Sequence, residues 1–300
     1  MDPVIEIIHV TKDFGGEKGV FDINFSVPKG EVFGYLGPNG AGKSTTIRQM
    51  MGFIRPQKGA CRILGKDCFR NAAEVQNHVG YLAGELSFID DMTGMEYIDF
   101  IAQMKGIKDQ TTTRQLIDRF EFDPKVKIRK MSKGMKQKTG LVVAFMGNPE
   151  VLILDEPTSG LDPLMQNRFI ELILEEKKKG ATIFMSSHLL EEVEKTCDRT
   201  AIIRQGRIAD TVEISSLSKL KSKVYTVTLA NRENAAKLGE EKTLHIKQVR
   251  GNIVDLFVND NVSAVLKVIS LYEPVSLEIA SESLEELFLR YYGEERMRNA

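Results

Sequence analysis

The chain has 300 residues, 42% of them apolar, and its acidic and basic side chains nearly cancel to a formal net charge of −1. Such a chain can bury a large core, has room for about two domains, and shows no global basic excess that would point to a nucleic-acid partner. Its longest apolar stretches, such as Leu141–Met146, fall far short of the roughly 18 to 20 residues that span a bilayer, and Met1-Asp2-Pro3-Val4 lacks the basic and apolar regions of a signal peptide, so a cytosolic protein is expected that borrows any membrane passage from a partner.

In chain order, Val4–Val10 and Val20–Val27 alternate apolar and polar residues around a Gly15-Gly16 turn and predict two antiparallel strands. Glu31–Leu36 predicts a buried strand and Thr45–Met51 the opening of a helix. Between them, Gly37-Pro38-Asn39-Gly40-Ala41-Gly42-Lys43-Ser44 is a complete G-x-x-x-x-G-K-[ST] phosphate-binding loop, with Thr45 next in line as a nucleotide-binding residue. Its glycines let successive N–H groups turn inward toward a β-phosphate, and the helix N-terminus adds a positive partial charge. Lys43 is expected to face solvent, bury little and reach the β- and γ-phosphates, while the Ser44 hydroxyl ligates Mg²⁺.

From Glu85 to Phe145 the helical period dominates. Met95, Ile98, Ile101 and Ala102 share one face, and Leu116, Ile117 and Phe120 another, which predicts a helical subdomain over about 85–145, inserted between the halves of the nucleotide core. Seven of the fourteen residues from Lys125 to Lys138 are basic and none is aromatic, so bases have nothing to stack on. A helix entering at Ser132 fits, its basic face turned to a phosphate, to the inner membrane leaflet, or simply to solvent. Val151–Leu154 followed by Asp155-Glu156-Pro157 predicts a buried parallel strand that delivers two carboxylates at its C-terminal end. There Asp155 is placed to hold Mg²⁺ and Glu156 to act as general base for an attacking water. Alone, the pair fits a solvated strand end before a turn equally well; the upstream phosphate loop decides for the site. Leu164–Lys179 reads as a helix ended by Gly180, Ala181–Met185 as another buried strand and Leu189–Cys197 as a helix, an alternation that argues for an α/β fold with a mostly parallel sheet.

The serine- and lysine-rich stretch Ile214–Ser222 reads as a linker or the frayed end of a short helix. Beyond it come a strand (Val224–Leu229), a helix (Arg232–Leu238), two strands (Leu244–Ile246 and Ile253–Val258) around a Gly251-Asn252 hairpin turn, a helix through Val262, Val265, Leu266 and Ile269, and a strand (Val275–Ile279). That order predicts a small α+β, ferredoxin-like domain. Ser283 with Glu286 makes a capping box for a closing helix through Leu284, Leu287, Phe288 and Tyr291. The expected organisation is therefore a nucleotide-binding domain over 1–215, an accessory domain over 223–292 and a flexible tail over 293–300. His9, His78 and His245 lack the clustered donors of a metal site and read as surface or packed residues. Cys61, Cys68 and Cys197 form no C-x-x-C pair and suit a reducing cytosol.

The phosphate loop, Lys130–Lys138, Asp155-Glu156, Thr158–Asp162 and Ser186-Ser187-His188 follow one another in an order and spacing that resemble the ATP-binding cassette (ABC) ATPases, over roughly residues 3–212. The resemblance implies that Ser132 and Gly134 belong to a signature that caps the γ-phosphate held by the opposite subunit, and that Asp162 lies in the loop joining the two sites across a dimer. It implies too that His188 is the switch histidine at the γ-phosphate, that Phe14 stacks on adenine, and that the amino-terminal β layer cradles the base. Two departures stand out. Gly84 occupies the place of a glutamine that senses Mg²⁺ and water, so any sensing falls to Glu85; and Lys133 and Met135 replace a glycine and a glutamine of the signature. Lys133 then either adds a charge-assisted contact to the γ-phosphate or points into solvent.

A single cassette followed by about 80 further residues and Ser283–Leu289 is similar to the ATPase subunits of ABC-2-type exporters, which include antibiotic and multidrug efflux systems. What this implies is an ATP hydrolase using ATP and Mg²⁺, two copies or a copy and a related ATPase subunit closing head to tail, an integral membrane permease as partner, and a peripheral place on the inner face of the cell membrane. No nucleic acid is expected. Two other readings stay open: a soluble ABC ATPase acting on ribosomes or nucleic acid, which usually brings a second cassette or a long coiled-coil insertion, and a nucleotide-binding regulator with little turnover, which the Gly84 and Lys133 departures favour.

Overall fold

A computed structural model describes residues 3–216, 223–258 and 262–281, and the chain divides into two compact units, Met1–Ile214 and Ser215–Ala300. The first unit holds two sheets. Strands β1 (Ile5–Asp13) and β2 (Gly19–Val27) pair antiparallel, and β3 (Val32–Leu36) then leads into helix α1 (Lys43–Met50). Next come β4 (Lys58–Ile63), β5 (Lys66–Asp67) and α2 (Ala72–His78), which the sequence pattern had left unassigned, before β6 (Val79–Leu82). The amino-terminal layer thus has four strands, in the order β2-β1-β4-β5.

Helices α3 (Gly94–Met104), α4 (Thr111–Phe120) and α5 (Lys133–Phe145) follow, with a short 3₁₀ turn at Ile128–Lys130. The apolar faces expected from the sequence are the ones that bury: Ile98 and Ala102 on α3, Leu116 and Phe120 on α4. After them run β7 (Val151–Asp155), α6 (Pro163–Lys178), β8 (Thr182–Ser187), α7 (Leu190–Thr196), β9 (Arg199–Arg204) and β10 (Arg207–Glu213). The second sheet has the order β10-β9-β3-β8-β7-β6, parallel throughout except for the edge strand β10.

Every residue of β3, β7 and β8 is buried, as central strands of a parallel sheet covered on both faces are. Phe25 of β2 stacks on Phe33 and Phe184 at centroid distances of 5.1 and 5.7 Å, which locks the antiparallel layer onto the parallel sheet. Because β8 lies between β3 and β7, the three segments that leave their C-terminal ends are neighbours: Leu36 pairs with Ser187, and Asp155 with Ser186. This topology brings residues 37–44, 155–156 and 186–188 together.

The second unit is built from β11 (Lys223–Leu229), α8 (Arg232–Gly239), β12 (His245–Arg250), β13 (Ile253–Val258), α9 (Val262–Ser270) and β14 (Pro274–Ser281). Its antiparallel sheet has the order β12-β13-β11-β14, the arrangement of a ferredoxin-like unit. Gly251 takes a φ of 65° in the two-residue hairpin between β12 and β13. Tyr225, Val227, Leu238, Val254, Leu256 and Ile269 form its core. The expected closing helix and the tail over 293–300 lie outside the described residues. Among the described residues no helix is long and apolar enough to cross a membrane.

Candidate functional site

The loop after β3 is fixed by close packing. A Cβ on Gly37 would stand 2.4 Å from the Ile203 carbonyl oxygen, and one on Gly42, which caps α1 with a φ of 110°, would stand 2.6 Å from Val20 Cγ1. The Gly37 N–H donates to the Ser187 carbonyl at 3.2 Å, tying the loop to β8. Lys43 departs from expectation. It is only 6% exposed, because its ammonium turns back into the loop, donating to the Gly37 and Pro38 carbonyls at 2.6 and 3.2 Å and lying 3.0 Å from Glu156 Oε1.

Asp155, 3% exposed, ends β7, and Glu156 follows with a φ of 52°, a left-handed conformation that turns its carboxylate off the strand direction. Ser186 serves both acids: its hydroxyl donates to Asp155 Oδ1 at 2.5 Å, and it accepts the Glu156 N–H at 3.1 Å. The other Glu156 oxygen, Oε2, contacts His188 Nδ1. Glu156 therefore sits between an ammonium and an imidazole, its side chain 19% exposed.

A cleft of about 780 Å³ opens over these groups, within the size range of ligand pockets. Of the predicted residues, Phe14, Asn39, Gly40, Gly42, Lys43, Ser44, Thr45, Glu85, Asp155 and Glu156 line it. Phe14 is exposed, with the Lys12 ammonium 5.6 Å from its ring centroid. Gly37, Pro38 and Ala41 shape the loop from behind, and His188 reaches the cleft residues only through Glu156. Gly84 is packed tightly, since a Cβ there would lie 2.9 Å from Asp155 Oδ2. Glu85 is exposed at the rim.

Sequence reading missed Arg48, Phe53, Tyr81 and Gln205, which also line the cleft. Phe53 and Tyr81 meet edge to face at 5.8 Å. Burial, then the Asp155 charge, pushes the Tyr81 phenol up to about 12, with Arg48 opposing, so it stays neutral. None of these positions lies in a short motif; β-strand alternation at Tyr81 and the first turns after the phosphate loop were the available signals.

Ser132, Gly134 and Asp162 are not among the cleft residues. Ser132 is exposed and caps α5, accepting the Met135 N–H at 3.2 Å, and Asp162 is exposed and caps α6, accepting the Met165 N–H at 3.0 Å. Gly134 packs on Gly160, where a Cβ would meet the carbonyl oxygen at 2.9 Å. Lys133 is exposed, and its ammonium donates to Ser159 Oγ of the same chain at 3.0 Å, its stem crossing Gly160. Gln137 of α5 donates to the Pro157 carbonyl at 2.8 Å, linking this helix to the turn after the two acids.

A phosphate loop and two strand-end acids in one cleft, with an imidazole against one of the acids, define a nucleotide-binding α/β protein of the phosphate-loop class. Comparison with known proteins narrows the class. The family model described as ABC transporter matches residues 20–159. The chain is 31% identical to the bacitracin transport ATP-binding protein BcrA of Bacillus licheniformis, covering 98% of each chain, and 30% identical to the linearmycin resistance ATP-binding protein LnrL of Bacillus subtilis, covering 97% of this chain and 98% of the other. A solved ATP binding subunit of an ABC transporter superposes with a TM-score of 0.66 at 30% identity, over 72% of this chain and 92% of that one. A dimeric bacterial ABC transporter cassette shares the fold, with a TM-score of 0.63 at 19% identity, over 70% and 98% of the two chains. The chain belongs to the ATP-binding subunits of ABC transporters, in the group that includes antibiotic transport and resistance proteins, and its activity class is ATP hydrolysis.

Proposed function

We propose that this chain energises an ABC-2-type exporter of antibiotic-like or drug-like compounds through ATP-driven closure of a dimer. The observation that carries the reading is a division of the predicted site: Lys43, Asp155 and Glu156 share one cleft, while the exposed caps Ser132 and Asp162 lie outside it. The exposed N-terminus of α5, where the Ser132 hydroxyl can still donate, suits a phosphate brought by a second copy or a related ATPase subunit, with the anionic Asp162 placed to join the two chains and not to hold phosphate. Likeness along the full length to transport and resistance subunits favours this reading over a soluble ATPase acting on ribosomes or nucleic acid. We assign residues 1–215 as the nucleotide-binding domain, with the helical subdomain near 85–145 facing the permease, and 223–292 as an accessory domain. The chain then works in the cytoplasm, peripheral on the inner face of the cell membrane, and binds an integral membrane permease.

In the proposed cycle Phe14 stacks on adenine, the N–H groups of Gly40 and of Gly42 to Thr45 hold the phosphates, and Lys43 exchanges the Gly37 and Pro38 carbonyls for β- and γ-phosphate oxygens. Ser44 and Asp155 are both oxygen donors in the cleft, a set that fits Mg²⁺, and they would hold it. Bound there, the cation neutralises phosphate charge. Glu156 takes the proton of the water that attacks the γ-phosphorus, and the bridging oxygen leaves with ADP. His188, against Glu156 Oε2, orients that carboxylate and contacts the γ-phosphate. Glu85 is the oxygen-bearing group beside the side-chain-free Gly84.

Glu156→Gln keeps size and hydrogen bonding but removes the base, so turnover should fall by at least about 100-fold while ATP still binds. Trapped ATP should then give a dimer in size-exclusion chromatography with light scattering, and a monomer without ATP. Adding Ser132→Arg should restore the monomer in the presence of ATP. Wild-type turnover by Glu156→Gln would remove the general-base assignment, and a variant that binds ATP without dimerising would remove the shared site from the isolated subunit.

A further inference from the structure

One buried carboxylate of the first unit has no part in the mechanism above. Glu192, on α7, is 5% exposed, and its Oε2 accepts the Ser187 hydroxyl at 2.5 Å. The same hydroxyl oxygen accepts the Leu189 N–H at 2.9 Å, closing a tight turn around His188. Thr158, buried two residues after Glu156, also reaches this carboxyl and favours its charged form, while Oε1 closes no hydrogen bond of normal length. Glu192 is therefore hydrogen-bonded to the turn after β8 and lies beside Thr158 in the turn after β7, the two segments that carry the Glu156–His188 contact.

Burying a carboxyl in a protein interior without full pairing is unfavourable. Here burial, with the Glu156 charge adding to it, pushes Glu192 up to about 7 against the hydrogen bonds of Ser187 and Thr158. An apolar side chain would fill the same space without that cost, so the polar contacts need a reason beyond packing.

We propose that Glu192 is a positioning residue for ATP hydrolysis, which holds the turns of Glu156 and His188 in register through Thr158 and Ser187. The inference rests on the reading of Glu156 as general base. A carboxylate that takes a proton from water must be placed to within a fraction of an ångström, and misplacement by about 1 Å costs on the order of 100-fold in rate. Glu192 does not line the cleft, and the Ser187 carbonyl that anchors Gly37 is a strand group that keeps its place without the Glu192 side chain.

The test is steady-state ATPase kinetics with Mg²⁺ and ATP on the full chain, with thermal midpoints measured in parallel. Glu192→Ala should lower kcat by about tenfold or more and leave KM for ATP within about threefold. Glu192→Gln, which keeps an acceptor for Ser187, should recover most of kcat. Ser187→Ala, which removes only the hydroxyl link, should lower kcat without moving KM, and combining it with Glu192→Ala should add little. Unchanged kcat in both Glu192→Ala and Ser187→Ala would overturn the proposal. So would a parallel loss of kcat, ATP affinity and thermal midpoint that Glu192→Gln does not rescue, because that pattern marks a packing role. Glu156→Gln assayed alongside separates the two failures: if it hydrolyses ATP at the wild-type rate, the underlying reading has failed; if it is inactive while Glu192→Ala and Ser187→Ala are fully active, only this inference has.

Discussion

Two buried aspartates, one in each unit, show how an acid that lines the cleft differs from one that holds the fold. Asp155 and Asp255 are 3% and 4% exposed, and both lie on sheet strands. Asp255 is closed by its own neighbours: Thr226, Gln248 and Arg250 each donate to it at 2.7 Å. Asp155 takes a single side-chain hydrogen bond, from Ser186, and its Oδ2 lies toward Gly84 at the cleft. An ionised carboxylate has about four acceptor positions. The acid with most of its acceptor capacity left over sits where a cation and phosphates fit, at the C-terminal end of a parallel strand; the acid with three of its positions taken holds an antiparallel sheet together.

The largest expected effect comes from removing the cation that faces the open pair. Lys43→Ala should weaken ATP binding at least tenfold, since a charge-assisted hydrogen bond is worth about 1.5–3 kcal/mol, and should abolish measurable turnover. The burial of Lys43 adds a second consequence. Its loss leaves Glu156 without its ammonium partner and opens space in the loop, so the thermal midpoint of the first unit should fall by a few degrees. Unchanged ATP binding by isothermal titration in the presence of Mg²⁺ would refute the assignment of the loop.

How much of this was legible in the sequence depended on whether a motif was contiguous. The phosphate loop and the Asp155-Glu156 pair could be placed because a strand delivers each to its own C-terminal end, and the ferredoxin-like unit because its alternation and its Gly251-Asn252 turn are local signals. The β4–β5 hairpin and α2 escaped because they are short and lack a clear period. The burial of Lys43 is not legible, because nothing in the chain announces that its ammonium meets the carbonyls of Gly37 and Pro38, six and five residues upstream. The acceptor that Lys133 finds, Ser159, has no local signal either, because it lies 26 positions away. The roles of Ser186 and Glu192 depend on the pairing of β8 beside β7, a fact of topology and not of spacing.

Gly84 sharpens the contrast at intermediate scale. A methyl group there would press on Asp155 Oδ2, and Asp155 cannot swing freely because Oδ1 is held by Ser186. Gly84→Ala should therefore rotate the carboxylate and lower Mg²⁺-dependent turnover by about tenfold, with little change in thermal stability. Glu85→Ala leaves Asp155 in place and removes only an exposed oxygen, so its effect should be smaller and confined to turnover in the assembled transporter. Equal turnover in wild type and Gly84→Ala would mean that the position of Asp155 does not limit the reaction.

The smallest effect on activity, and the sharpest control, belongs to Asp255. Burial raises its pKa, but hydrogen bonds from Thr226, Gln248 and Arg250, with the Arg250 charge, outweigh burial and hold the carboxyl below its ordinary value. A carboxylate with a depressed folded-state pKa contributes stability that is fully present above its unfolded value, about 3.9, and is lost as pH falls through the folded value. Asp255→Asn keeps the shape but removes the charge, so the stability that the second unit gains between acid and neutral pH should shrink. Hydrogen exchange read by mass spectrometry on the full chain should show faster exchange in β11, β12 and β13 at pH 7, and a smaller difference between pH 7 and pH 3 than in wild type. ATP turnover at pH 7 should stay within about twofold, because Asp255 belongs to the unit without the cleft. A large loss of turnover with intact exchange protection in the first unit would break the division between the two aspartates and give the second unit a direct part in hydrolysis.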